Sequence, residues 1–270
     1  ETEKGGKKMK IIKMFLVIAA ICMSLSITPA VAAPILWVDD ASGGIGTVDV
    51  ATGTETFIGN AGLVLTDIAF DPSGNLWGVS FTALYSINKS NGLATYVGAL
   101  GSGINGNNAL VFSSTGICYS ASSTNKNLYT IDTSTGAATS LGAINMSANS
   151  SGDLAFNGGN LYLSNMNDKL VLIDLSNLAS SYEVGSLGFT LVYGLATAGD
   201  GVLYGVSYRD VFSVNTTTGA GTLVSTYGTG LNYAYGSAFY EEAGADVPEP
   251  ATLLLLGFGL LGLAGFRRKE

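Results

Sequence analysis

The sequence predicts an all-β protein, a β-propeller of five four-stranded blades, set between an N-terminal signal peptide and a C-terminal transmembrane sorting helix. Three observations carry this reading. A unit of short strands recurs along the body, its first aromatic-containing strand starting at Leu36, Leu76, Ile117, Leu161 and Leu203, in steps of 40, 41, 44 and 42 residues. The two ends of the array are complementary fragments of one unit. Each end of the chain carries an uncharged apolar run flanked by basic residues.

At the N-terminal end, Lys10 and Lys13 precede an apolar stretch from Met14 to Ile27, followed by Thr28-Pro29 and Ala30-Val31-Ala32-Ala33. These are the basic, apolar and small-residue parts of a secretory signal peptide. The expected cleavage by signal peptidase follows Ala32 or Ala33, with Ala30 as the upstream small residue. Met9 is the expected start, and Glu1–Lys8 reads as upstream or appended sequence. Domain limits follow: 1–33 signal region, 34–242 propeller, 243–250 linker and motif, 251–270 membrane helix and basic tail.

Each unit of the body holds four short segments of alternating or β-branched character, separated by Gly, Asn, Ser and Thr. The first complete unit runs Leu65-Thr-Asp-Ile-Ala-Phe-Asp-Pro-Ser-Gly-Asn-Leu-Trp-Gly-Val-Ser, then Ala83-Leu-Tyr-Ser-Ile-Asn, then Asn91-Gly-Leu-Ala-Thr-Tyr-Val-Gly. Thr52-Gly53, Asn91-Gly92, Thr135-Gly136 and Thr218-Gly219 fit tight turns between the last two strands, where glycine accepts a positive φ. The unit at Asn177-Leu178 lacks this glycine and is expected to turn differently. Small or β-branched residues recur at one position of the innermost strand: Ala69, Val111, Ala155, Ala196 and Ala238. Blades crowd at the axis, so small side chains suit it, while the adjacent Phe70, Phe112, Phe156 and Phe239 are expected to pack between blades.

Closure is written in the two ends. The first unit begins at Ile35-Leu-Trp-Val without an inner strand, and the body ends with Tyr235-Gly-Ser-Ala-Phe-Tyr240, an inner strand without a blade. Pairing the two completes a fifth blade and removes an open edge.

At the C-terminal end, Val247-Pro248-Glu249-Pro250 precedes an uncharged run, Ala251–Phe266, and then Arg267, Arg268 and Lys269. Sixteen helical residues reach about 24 Å, slightly short of a ~30 Å hydrocarbon core, a mismatch that thinning and snorkelling absorb. The basic cluster should stay cytoplasmic and stop transfer there. This order of parts resembles the PEP-CTERM sorting domain. The resemblance implies recognition by an exosortase, transient anchoring in the inner membrane, and delivery to the cell surface or extracellular matrix of a bacterium that makes exopolysaccharide. The repeats resemble, more diffusely, YVTN-type and NHL-like propellers.

Composition narrows function. Over 33–246 there are 16 acidic and 4 basic residues (Lys89, Lys126, Lys169 and Arg209). That argues against a nucleic-acid partner. No histidine occurs anywhere, which removes Ser-His-Asp and Cys-His catalysis and His-ligated zinc. Cys118 is alone in the body, so no intrachain disulfide is expected there, and its strand setting reads as buried. No catalytic residue and no cofactor are assigned. Asp67 and Asp153 occupy equivalent positions before the inner strand, with Asn108 close to the same place. Loops there would open at one mouth of the channel, where the residues could ligate Ca²⁺ or cap turns; Gly194 and Gly236 at the matching positions weaken a metal ring. Asp132, Asp174, Asn88 and Asn215 read as turn formers. The sequence-level function is a non-enzymatic exported interaction or structural module whose partners are exopolysaccharide or surface proteins. A lectin-like or carbohydrate-active propeller, with Asp67 and Asp153 as its best carboxylate pair, is the alternative.

Overall fold

A computed structural model describes residues 33–101 and 104–244. The signal-region residues Ala30 and Ala32, the motif Val247–Pro250 and the tail Arg267–Lys269 lie outside the described residues, and Ala33 is their half-buried first member. Among the described residues no helix is long and apolar enough to cross a membrane.

Twenty strands form five separate four-stranded antiparallel sheets. Blade 2 is β4 (Asp67–Phe70), β5 (Leu76–Val79), β6 (Ala83–Ile87) and β7 (Ala94–Ala99). Blade 3 is β8 (Asn107–Phe112), β9 (Cys118–Ser122), β10 (Asn127–Ile131) and β11 (Ala138–Ala143). Blade 4 is β12 (Ser150–Asn157), β13 (Asn160–Asn165), β14 (Lys169–Ile173) and β15 (Tyr182–Ser186). Blade 5 is β16 (Val192–Thr197), β17 (Leu203–Ser207), β18 (Asp210–Val214) and β19 (Gly221–Thr226). Blade 1 joins the chain ends: β20 (Ala234–Phe239) pairs with β1 (Ile35–Asp40), followed by β2 (Gly44–Asp49) and β3 (Glu55–Asn60). The closing register sets Leu36 opposite Phe239 and Asp39 opposite Gly236, as the complementary ends require.

The core consists of five apolar wedges, one at each blade–blade junction. One aromatic contact recurs. The phenylalanine at or next to the end of an inner strand packs on the aromatic of the neighbouring blade's second strand: Phe70 on Trp37, Phe112 on Trp77, Phe156 on Tyr119 and Phe239 on Tyr204, with centroids 5.5–6.2 Å apart. Offset or edge-on ring pairs at this distance add to their burial. Trp37 and Trp77 are therefore packing residues, and Trp77 Nε1 donates to Asp71 Oδ2.

The turn glycines have the expected positive φ, 70° to 80°, at Gly53, Gly92, Gly136 and Gly219. They carry a second role that the sequence did not announce. Gly92, Gly136 and Gly219 abut Gly59, Gly98 and Gly185 on the outer strand of the preceding blade, so that backbone meets backbone. In blade 4 a 3-10 turn, Leu178–Ser180, capped by Asn177, replaces the missing glycine. Asp132, Asp174, Asn88 and Asn215 each accept backbone N–H groups two residues on, which makes them turn formers. Cys118 is buried, and burial pushes its thiol pKa up.

Candidate functional site

Each inner strand enters the axial channel at one end and leaves at the other. Thr66, Asn108, Ser151, Tyr193 and Tyr235 stand at or just before the strand beginnings and share one mouth. Phe70, Phe112 and Phe239 end their strands at the opposite face. After Phe239 the chain turns back across that face. Tyr240 lies against Gly74 and Glu241 against Gly199, while Ala243 is buried among Ala69, Phe112 and Cys118. The folded body thus runs past the boundary expected at residue 242, because Ala243 serves the junction of blades 2 and 3 rather than a linker. Glu242 turns its carboxylate inward, with Oε1 buried and unpartnered. The segment Tyr240–Gly244 therefore covers one end of the channel, and Pro34, next to β1, lies on the same side.

One step inside the mouth sits a belt of carboxylates. Asp67 and Asp153 belong to the inner strands themselves and are fully buried, which corrects their expected position in open mouth loops. Their side chains reach the neighbouring blades instead of solvent. Asp67 Oδ1 accepts from Ile68 N, and Oδ2 from Leu110 N of blade 3 at 2.5 Å. Asp153 Oδ1 accepts from Leu154 N, and Oδ2 from Leu195 N of blade 5 at 2.6 Å. Asn108 Nδ2 links blades 3 and 4 by donating to Ser150 O. The two buried carboxyls are close enough for the charge of Asp153 to act on Asp67.

Asp39, from the second strand of blade 1, completes the belt. It is 0% exposed, and neither carboxylate oxygen has a partner. Burial, then the charge of Asp40, raises its pKa to about 8. Burial also raises Asp67, reinforced by the charge of Asp153, and raises Asp153 and Glu242 well above the carboxylate range. Among the described residues, no group of three or more His, Cys, Asp and Glu is arranged to hold a metal ion. Asp67 and Asp153 each give both carboxyl oxygens to backbone N–H groups.

The mouth has different chemistry. A cavity of about 470 Å³ opens there, lined from all five blades. Its rim is apolar: Val64, Phe81 (54% exposed), Met166 (50% exposed) and the ring pair Tyr193–Tyr235, 5.9 Å apart and nearly perpendicular. Its floor is neutral and polar, with Thr66, Ser151 and Asn108, and among the described residues no charged side chain lines it. Asn108 is 7% exposed and its Oδ1 has no partner. Beside the cavity, Tyr208 and Tyr233 pair at 5.1 Å, and Arg209 lies over Tyr233 at 4.7 Å. The non-glycine residues with positive φ among those described, Asp168, Leu191 and Tyr208, all sit in turns and loops of this same face. Such strain clusters at binding sites because the scaffold must over-determine it.

Sequence reading pointed to Asp67 and Asp153 and passed over the rim. Its only signal was an apolar residue placed in a turn, as in Ser80-Phe81-Thr82 and Met166-Asn167-Asp168, where solvent exposure is the rule.

Comparison with known proteins bears on two parts of the chain. Residues 246–269 match the PEP-CTERM protein-sorting motif, so the chain carries that sorting signal. No curated protein matches. The body resembles solved propellers. A chain of the nidogen/laminin complex is 12% identical, with 76% of this chain and 97% of that one covered, at a TM-score of 0.53. A structural-genomics protein of unknown function from Bacteroides thetaiotaomicron VPI-5482 is 18% identical, with 79% and 63% covered, at a TM-score of 0.57. XC5397 of Xanthomonas campestris, a gluconolactonase, is 13% identical, with 76% and 80% covered, at a TM-score of 0.51. At these identities the likeness establishes the fold alone.

Proposed function

We propose that this PEP-CTERM-tagged, five-bladed propeller is a non-enzymatic interaction module that engages an extracellular polysaccharide or another surface protein through the aromatic mouth. The tag marks it as an exported, exosortase-sorted protein directed toward the cell surface. In this reading it is anchored transiently in the inner membrane and then held at the surface or in the extracellular matrix.

The observation that carries the reading is the contrast between the two faces. One is covered by Tyr240–Gly244, from which the sorting segment continues. The other presents the neutral apolar cavity of about 470 Å³, inside the size range of ligand pockets. Exposed apolar side chains gathered on one face of an acidic, polar body are what a binding surface requires. The buried acids do not favour a glycan-cleaving role. A glycosidase needs two carboxyls flanking the bond in contact with substrate, and Asp67 and Asp153 lie beneath the floor with their oxygens on Leu110 and Leu195 N–H groups.

The test is a Phe81→Ala/Met166→Ser double substitution in producing cells, with the protein quantified in envelope, matrix and medium. Both side chains are half or more exposed, so the fold should stand. The expected outcome is a shift from cell-associated material to free protein in the medium. An unchanged distribution would overturn the mouth as the binding face.

A further inference from the structure

We infer that the mouth is a carbohydrate site and that its ligand is a neutral sugar ring stacked on the rim aromatics. This deepens the interaction-module reading and rests on it. Three features select the ligand's chemistry. Among the described residues the lining has no charged side chain, so a uronate, sulfate or ammonium group entering it would lose water without gaining a counter-charge. The rim offers aromatic and thioether surface in Tyr193, Tyr235, Phe81 and Met166, which suits a ligand with an apolar C–H face. The floor is polar and uncharged, with Thr66, Ser151 and Asn108, which suits the hydroxyl edge of such a ring.

Thr66 Oγ1 is committed within the protein, donating to Asn107 O at 2.9 Å, and Asn108 Nδ2 donates to Ser150 O at 3.1 Å. A small ring with one apolar face and hydroxyl donors at its edge meets all of these demands together. A purely apolar group would strip water from this polar floor without replacing its hydrogen bonds, which is costly. The cavity is closed below by the carboxylate belt, so the sugar enters from the open side, as a chain end or an exposed branch.

The test uses the full chain in lipid nanodiscs, with uncharged methyl glycosides and short neutral oligosaccharides as probes and glucuronate-containing oligosaccharides as the charged comparison. Binding is followed by saturation-transfer NMR and tyrosine fluorescence. Neutral sugars are expected to bind and uronates to bind at least about tenfold more weakly. Phe81→Ala and Tyr193→Ala should each weaken binding about tenfold, the usual scale for a truncated hot-spot aromatic. Asn108→Asp, which keeps the shape and adds a negative charge to the lining, should weaken uronate binding further and so widen the preference for neutral sugars over uronates. If no sugar binds while uncharged apolar peptides do, and Phe81→Ala weakens them, the sugar assignment falls and the mouth remains the binding face. If neither class binds and the Phe81→Ala/Met166→Ser protein distributes in cells like the parent, both the assignment and the reading beneath it fall.

Discussion

Asp67 and Leu110 belong to different blades and are joined by a 2.5 Å hydrogen bond from the Leu110 backbone N–H to Asp67 Oδ2. Asp153 and Leu195 repeat the arrangement two blades on at 2.6 Å. A propeller's inner strands splay from a shared axis and lack continuous ladder pairing between blades. A buried carboxyl that reaches across supplies an acceptor that the neighbouring strand would otherwise find in water.

Replacing Asp67 by alanine should therefore leave the Leu110 N–H without its acceptor and destabilise the fold by about 1–3 kcal/mol. For a body of this size that lowers Tm by roughly 2–4 °C per kcal/mol. The loss should be larger at pH 4.5, where the carboxyl is neutral, than at pH 8, where removing it also relieves repulsion within the belt. Calorimetry at both pH values checks this, and equal stability of parent and variant at pH 4.5 would sink the clamp.

The belt also sets the pH dependence of stability. Asp39, Asp67, Asp153 and Glu242 all have folded-state pKa values above their unfolded values, with Asp39 at about 8. Above pH ~4 the unfolded chain has released these protons and the folded one still holds them, so stability falls as pH rises. The decline should run from about pH 4 through pH 8. Glu183 acts in the opposite sense. Hydrogen bonds from Ser147, then from Lys169, lower its pKa to about 2, so its contribution is present above 4.5 and is lost in strong acid. Maximum stability is expected near pH 4–5. Urea denaturation at pH 4.5, 6 and 8 measures it, and a midpoint that rises toward pH 8 contradicts the buried, protonated belt.

Gly236 is the place where the belt closes on the chain ends. A Cβ there would collide with Asp67 and lie 2.6 Å from Asp39 Oδ1. Blade 3 holds Ala109 at the corresponding ring position, fully buried, so alanine itself is not excluded by the geometry of an inner strand. Gly236→Ala should thus cost about 1–3 kcal/mol, as overpacking does. It should also loosen the β20–β1 seam, visible as faster amide exchange at Val38 and Asp39. Unchanged exchange there would mean that the seam does not depend on this approach.

Much of the fold was legible because a blade cannot bury its faces alone. The forty-residue period, the turn glycines and the split first unit were enough to give five blades and the closing seam. What stayed illegible depended on neighbours distant in sequence. Nothing local separates Asp67 from the turn-forming Asp132, since each precedes or ends a strand. Only the approach of Leu110, 43 residues on, makes one a buried clamp and the other an exposed turn. The mouth was hidden for the same reason. Phe81, Met166, Tyr193 and Tyr235 lie far apart along the chain and meet only once the ring closes.

The path of the chain after β20 predicts how the tethered protein stands. Pro34 and Tyr240–Gly244 are on the covered face, and the PEP-CTERM segment begins two residues later, at 246. With so short a connection, a propeller anchored by that segment should turn its covered face to the membrane and its mouth away. Single cysteines report this cleanly, because the native Cys118 is buried with its thiol pKa pushed up and stays silent. A cysteine at Phe81, on the mouth rim, should react with a bulky polyethylene-glycol maleimide in spheroplasts about as fast as in detergent. A cysteine at Ser73, in the turn between β4 and β5 on the covered face, should be slowed several-fold in spheroplasts and freed by detergent. Equal protection at both positions would mean that the anchored propeller tumbles on its linker, and the mouth would then have no fixed outward aspect.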